Sequence, residues 1–263
     1  MNTTTRVRPA DLADWLLAHG RSAVTTTEAA ALLGVDPAEV RVRLHRHRDA
    51  FVMPARGLWV VIPPEYREWG APEGVEVVDL LMRHLHVDYY VGWLSAASLH
   101  GAGHHAPQVF QVATSRDVRD RHVGRTAFTF LTRTAAAALP HQQRPTRSGT
   151  AAVSPPEVTA LDLATDIALG GGIDNVATVI LGLAEEGLDL GLVASLADHF
   201  PAASVRRLGW ILENLGEHRA DDLHHGAVSR APTPALLNPA GPVRGRTDPR
   251  WRLRLNTEVE AEF

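Results

Sequence analysis

Along the N-terminal stretch, apolar residues follow first a helical and then an extended rhythm. Leu12, Trp15 and Leu16 stand at i, i+3 and i+4, which predicts a short amphipathic helix over residues 9–19, ended by Gly20. Thr25-Thr26-Thr27-Glu28, ahead of Ala29-Ala30-Ala31-Leu32-Leu33, reads as a capping box, and Gly34 suits a left-handed helix end. Asp36-Pro37-Ala38-Glu39 reads as a second capping box with proline at the first helical position, opening a helix that runs to Arg48. The pattern then changes. Phe51-Val52-Met53 and Leu58-Trp59-Val60-Val61-Ile62 are β-rich runs on either side of Pro54-Ala55-Arg56-Gly57, a turn composition.

Two helices meeting across a glycine turn, followed by a hairpin, predict a winged helix-turn-helix over residues 1–62, whose second helix enters the major groove of DNA. Turning about 100° per residue from Val40, Leu44 and His47 share its inward stripe, while Val42, His45 and Arg46 point the other way. Arg41 and Arg48 leave one flank, Arg43 the other, and Arg56 marks the hairpin tip. The expected DNA-binding set is therefore Arg41, Val42, Arg43, His45, Arg46, Arg48 and Arg56, with arginines on the flanks meeting phosphates and Arg46 donating to a base edge.

Pro63-Pro64 and Gly70-Ala71-Pro72-Glu73-Gly74 suggest a linker, leaving residues 75–263 as a larger mixed α+β domain with a helical C-terminal part. Val75, Val78, Met82 and Leu85 predict a helix; residues 108–114 and 127–131 predict strands, and residues 150–153 a possible third. Ser154-Pro155-Pro156-Glu157 reads as an N-cap, a helix-opening proline and a capping-box acid. Helices are expected over residues 175–186, 190–200 and 204–215, then loop over 231–248 and a short basic strand over 250–255.

Composition narrows the chemistry. The chain of 263 residues has no cysteine, which excludes disulfides, thiolate zinc sites and cysteine nucleophiles. All 26 basic residues are arginine, so no P-loop lysine, Schiff base or lysine general base is available. Positions 1–60 hold eight arginines against six acids, and the remainder 18 against 24, an asymmetry suggesting separate partners for the two parts. No apolar run is long enough to span a membrane and residues 1–8 lack a signal-like core, so a cytoplasmic protein is expected.

Three patterns bear on catalysis or cofactor binding. Gly101-Ala102-Gly103-His104-His105-Ala106 has the spacing of a dinucleotide fingerprint, but a helix rather than a strand precedes it. His100, His104 and His105 lack an identifiable fourth ligand and second shell for zinc. No Gly-x-Ser-x-Gly elbow presents a serine nucleophile. The expectation is a protein without catalytic residues, metal or cofactor.

Several blocks together resemble the AbiEi-type antitoxins, the regulator half of abortive-infection toxin–antitoxin pairs. They are the N-terminal helix-turn-helix pattern, Tyr90-Val91-Gly92-Trp93-Leu94-Ser95-Ala96-Ala97-Ser98-Leu99-His100-Gly101, Val153-Ser154-Pro155-Pro156-Glu157-Val158-Thr159-Ala160-Leu161-Asp162-Leu163, Gly171-Gly172-Ile173-Asp174-Asn175-Val176-Ala177, Arg207-Leu208-Gly209-Trp210-Ile211-Leu212-Glu213, and the ending Asp248-Pro249-Arg250-Trp251-Arg252-Leu253-Arg254-Leu255-Asn256. The resemblance implies autorepression of the protein's own operon at inverted repeats in double-stranded DNA, and neutralisation of a cognate nucleotidyltransferase-like toxin by the C-terminal part. The toxin's own Gly-Ser and Asp-x-Asp patterns are missing from this chain. Two rivals remain: a ligand-responsive winged-helix regulator, favoured by a deep closed pocket, and a nucleic-acid enzyme using His and Asp residues of positions 101–122.

Overall fold

The computed structural model describes residues 6–103 and 108–261. Its N-terminal part runs from a 3-10 turn, Pro9–Asp11, into α1 (Leu12–Ala18), β1 (Ala23–Thr25), α2 (Thr26–Leu33), α3 (Pro37–His45), β2 (Phe51–Ala55) and β3 (Leu58–Val61). The strands form an antiparallel sheet in the order β1-β3-β2. Local chemistry explains the helix ends. The Thr25 hydroxyl accepts from the Glu28 N–H while the Glu28 carboxylate accepts from the Thr25 N–H, and Gly34 closes α2 at φ 63°.

The second capping box is only half made. Asp36 accepts from the Ala38 N–H at 2.8 Å, but the Glu39 carboxylate is taken by Arg43 at 2.9 Å and does not reach back. Helix α3 also stops at His45, short of the expected Arg48, with Arg46 as its C-cap. There the His47 carbonyl accepts from the N–H groups of Ala50 and Phe51, turning the chain so that Phe51 enters the sheet.

Strand β3 joins two cores. Trp59 and Val61 pack among Leu12, Leu16, Leu33, Val40 and Leu44. Leu58 and Val60, pointing to the opposite face, pack among Val77, Val78, Leu81 and Met82 of the next helix, α4 (Gly74–Leu85). Of the expected stripe on α4, Val78 and Met82 are fully buried and Val75 and Leu85 half-buried, while Val77 and Leu81 are fully buried as well, because both β3 and the following sheet press on this helix. The stretch before α4, expected as linker, contains a 3-10 turn over Pro64–Trp69.

The larger part is built on β4 (Tyr89–Val91), α5 (Trp93–Leu99), β5 (Val109–Thr114), β6 (Arg121–Val123), β7 (Thr126–Thr132), β8 (Gln142–Thr146) and β9 (Gly149–Val153). Its six-stranded mixed sheet has the order β6-β7-β5-β4-β9-β8, with β5/β7 and β4/β9 parallel. Helix α4 contributes the apolar cluster that includes Val91, Val112 and Phe128. A second cluster gathers α6 (Pro156–Thr165), α7 (Ile173–Glu185), α8 (Leu190–Leu196), α9 (Ala202–Asn214) and α10 (Asp221–Ser229). A closing sheet of β10 (Ala235–Leu236), β11 (Arg246–Asp248) and β12 (Leu253–Leu255) seats the fully buried Trp251 on Gly209 of α9, where a Cβ would lie 2.0 Å from the indole ring. The architecture is mixed α+β, with helices and several sheets.

One predicted cap is corrected. Pro155, not Ser154, is the N-cap of α6, since the Ser154 hydroxyl donates to the Val91 carbonyl at 3.1 Å and pairs with Thr159. Glu157 is buried and accepts from the Asp189 N–H at 3.1 Å, tying α6 to the start of α8.

Candidate nucleic-acid interface

Helix α3 is anchored on one side by Val40 and Leu44, both fully buried. The other side carries Arg41, Val42, Arg43 and His45, all exposed, followed by exposed Arg46 and Arg48 beyond the last helical turn. Arg41, Arg46 and Arg48 have no ion-pair or side-chain hydrogen-bond partner among the described residues. Arg43 forms an exposed i, i+4 pair with Glu39, a contact worth only about 0.3–0.5 kcal/mol and therefore readily exchanged. His45 and Arg43 lie in the last turn of α3, where positive charge complements the helix dipole.

The tip of the β2–β3 hairpin has a free side chain on a fixed backbone. Gly57 takes φ 86° in the turn, and its carbonyl accepts from the Thr26 N–H at 2.9 Å. His84 of α4 donates through Nε2 to the Arg56 carbonyl at 3.0 Å, and Arg121 of β6 donates to the Pro54 carbonyl at 3.1 Å. The guanidinium of Arg56 stays exposed with no partner among the described residues. Burial without a carboxylate pushes the pKa of Arg121 down, the cost of stationing a cation between the hairpin and the large sheet. Neither His84 nor Arg121 carried a sequence signal, because each acts through a carbonyl far away in the chain.

A second polar centre also escaped the sequence reading. Tyr90 on β4 donates to Asp162 Oδ2 at 3.0 Å, and Trp93 at the start of α5 donates to Asp166 Oδ2 at 3.1 Å. Arg133 pairs with Asp166, lies over the Trp93 ring, and approaches Asp162 Oδ1 at 3.3 Å, an ion-pair distance at which Oδ1 has no hydrogen-bond partner. Complete burial dominates at Asp162 and pushes its pKa up to about 7, against the opposing pull of Arg133 and Tyr90. Trp93 adopts φ 49°, which the indole bond to Asp166 helps to hold. Two of the sequence blocks quoted above thus meet here, and they do so as structural support for the sheet and α6.

Of the three histidines that could suggest a metal site, His100 alone lies among the described residues. His100 donates to the Ser154 carbonyl at 2.7 Å, while His104 and His105 lie outside the described residues. Among the described residues no group of three or more His, Asp or Glu side chains is placed to hold a metal ion. A cleft of about 490 Å³ beside Tyr66, Trp69 and Phe110 opens to solvent. No helix of the described residues is long and apolar enough to cross a membrane.

No curated protein matches the chain. The fold is similar to the crystal structure of the RV2827C protein from Mycobacterium tuberculosis, with a TM-score of 0.66 and 16% sequence identity, covering 93% of this chain and 89% of that one. At that identity the likeness is one of fold. The family model of the AbiEi antitoxin C-terminal domain matches residues 90–214, from β4 to the end of α9 and including the Tyr90–Asp162 centre. Over these residues the chain is similar to the AbiEi antitoxin family.

Proposed function

We propose that the protein is a DNA-binding antitoxin: residues 1–62 form a winged helix-turn-helix that represses its own operon at inverted repeats, and residues 75–263 neutralise a nucleotidyltransferase-like toxin without catalysing a reaction. The observation that carries the DNA-binding half is the exposed, partner-free set of cations on and just after α3, set on two fully buried anchors. A cation satisfied within the fold has little to offer a phosphate; Arg41, Arg46, Arg48 and Arg56 are all unspent. In this reading α3 lies in the major groove, with Arg41, Arg43, Arg48 and Arg56 meeting phosphates and Arg46 with His45 reaching a guanine edge. The antitoxin half rests on the family match over residues 90–214, and the family implies a toxin partner.

The test separates the two activities in the full chain. Co-expression with a cognate nucleotidyltransferase-like toxin is expected to restore growth for both the wild type and an Arg41→Ala/Arg43→Ala/Arg48→Ala variant, while only the wild type represses a reporter driven by its own promoter. Repression by the variant at wild-type strength rejects the DNA-binding assignment, and failure of the folded wild type to restore growth rejects the antitoxin assignment.

A further inference from the structure

Val42 is 63% exposed, although α3 already has its anchors in Val40 and Leu44. An exposed β-branched residue lowers helix propensity relative to the arginines beside it, so this side chain serves neither the core nor the helix. Turning about 100° per residue puts Val42 about 200° from Val40, with Ala38 at about 160° and Arg46 at about 240°. Val42 is thus the apex of the outward face, and exposed Ala38 lies one turn before it. The cations stand to either side: Arg41 on one flank, Arg43 with its partner Glu39 on the other.

The apex of a helix lying in a groove meets base edges, whereas its flanks meet the phosphate walls. Base edges in the major groove offer donors, acceptors and one apolar group, the C5 methyl of thymine. Valine offers no hydrogen bond, so of these it complements only the methyl. We infer that Val42, assisted by Ala38, is a specificity-determining residue that reads a thymine methyl in each half-site. This rests on the proposed groove docking of α3 and deepens it by naming the base that the apex selects.

The test uses the full-length protein and two duplexes spanning the promoter of its own gene, one made with thymidine and one with deoxyuridine throughout. The base pairs are the same in both, and only the methyl groups differ. Wild type is expected to bind the deoxyuridine duplex about fourfold more weakly per half-site, the fold-change of one buried methylene-sized group. Val42→Ala is expected to bind both duplexes with nearly equal affinity, close to that of wild type for the deoxyuridine duplex. Val42→Thr, which retains one methyl and the shape, should keep most of the discrimination. Equal binding of the two duplexes by wild type, or full discrimination by Val42→Ala, overturns the inference while leaving groove docking standing. Affinity that does not depend on salt for either duplex overturns groove docking and the inference together.

Discussion

Helices α3 and α9 both carry closely spaced arginines and use them in opposite ways. On α9, Arg206 is 1% and Arg207 7% exposed. Arg206 donates to the carbonyls of Ala227 at 3.1 Å, Thr233 at 2.9 Å and Ala231; Arg207 donates to those of Leu236 at 3.0 Å and Ala164 at 3.1 Å. Neither has a carboxylate partner among the described residues, and burial pushes both guanidinium pKa values down. Their task is to satisfy backbone carbonyls at the end of α10, in the segment that follows it and, at Ala164, in α6, which ties these elements to α9. Arg41 on α3 has no such work in the fold. The difference teaches that an arginine's role is set by whether carbonyls or solvent surround its guanidinium, which residue type alone does not reveal.

The largest expected effect lies on the buried side of this comparison. Arg206→Ala leaves three carbonyls without a donor and opens a void, and should cost about 3–5 kcal/mol in urea unfolding. Arg41→Ala should stay within about 0.5 kcal/mol of wild type. Equal costs for the two substitutions would abolish the distinction between fold-serving and partner-serving arginines.

Asp162 sharpens the same point with a carboxylate. Because its pKa rises to about 7 in the fold from about 4 in the unfolded chain, the folded state holds the extra proton. The stability from that proton is fully present below about pH 4 and is lost as pH rises through about 7. Asp162→Asn, a permanently neutral isostere, should flatten this dependence, a difference on the order of 4 kcal/mol between the two ends. Unfolding midpoints recorded from acid to neutral pH for both proteins check it; an unchanged pH slope in the variant would remove Asp162 as its source.

A smaller effect is expected at the formed capping box. Thr25→Ala should cost about 1 kcal/mol, since it leaves the Glu28 N–H without its acceptor, and thermal unfolding will register it. At Glu39, whose box is not formed, Glu39→Ala should change stability by no more than about 0.5 kcal/mol. A large loss at Glu39 would mean that the exposed pair with Arg43 is stronger than its surroundings allow.

What could be read from the sequence was local. Thr25 with Glu28 and Gly34 define α2 through contacts within one turn, and the two β-rich runs on either side of the Arg56 turn give the hairpin. The apolar run from Leu58 to Ile62 was legible as a strand, yet its burial on both faces depends on α4, which a run of apolar residues does not announce. Strand β8, Gln142–Thr146, is almost wholly exposed and contains a proline, so no alternation marks it, and it exists by pairing with β9. The Tyr90–Asp162 contact spans 72 positions and was visible only as two separate blocks. Ser154 looked like a cap because its neighbours are prolines, but the Val91 carbonyl and Thr159 claimed its hydroxyl first.

The hairpin is held by His84 and Arg121 from the larger part, and β3 is buried between the two cores, so the DNA-reading and toxin-neutralising parts proposed here meet in a packed junction. The central claim is that the α3 face and hairpin tip contact DNA through phosphates. Its most direct measurement is the dependence of promoter binding on salt for the full-length wild type and for Arg43→Ala. Four phosphate contacts per bound domain give a log–log slope of roughly −3 to −4, and losing Arg43 should reduce its magnitude by about one with sequence preference retained. An Arg43→Ala protein, folded as wild type, that keeps the full slope would contradict the account.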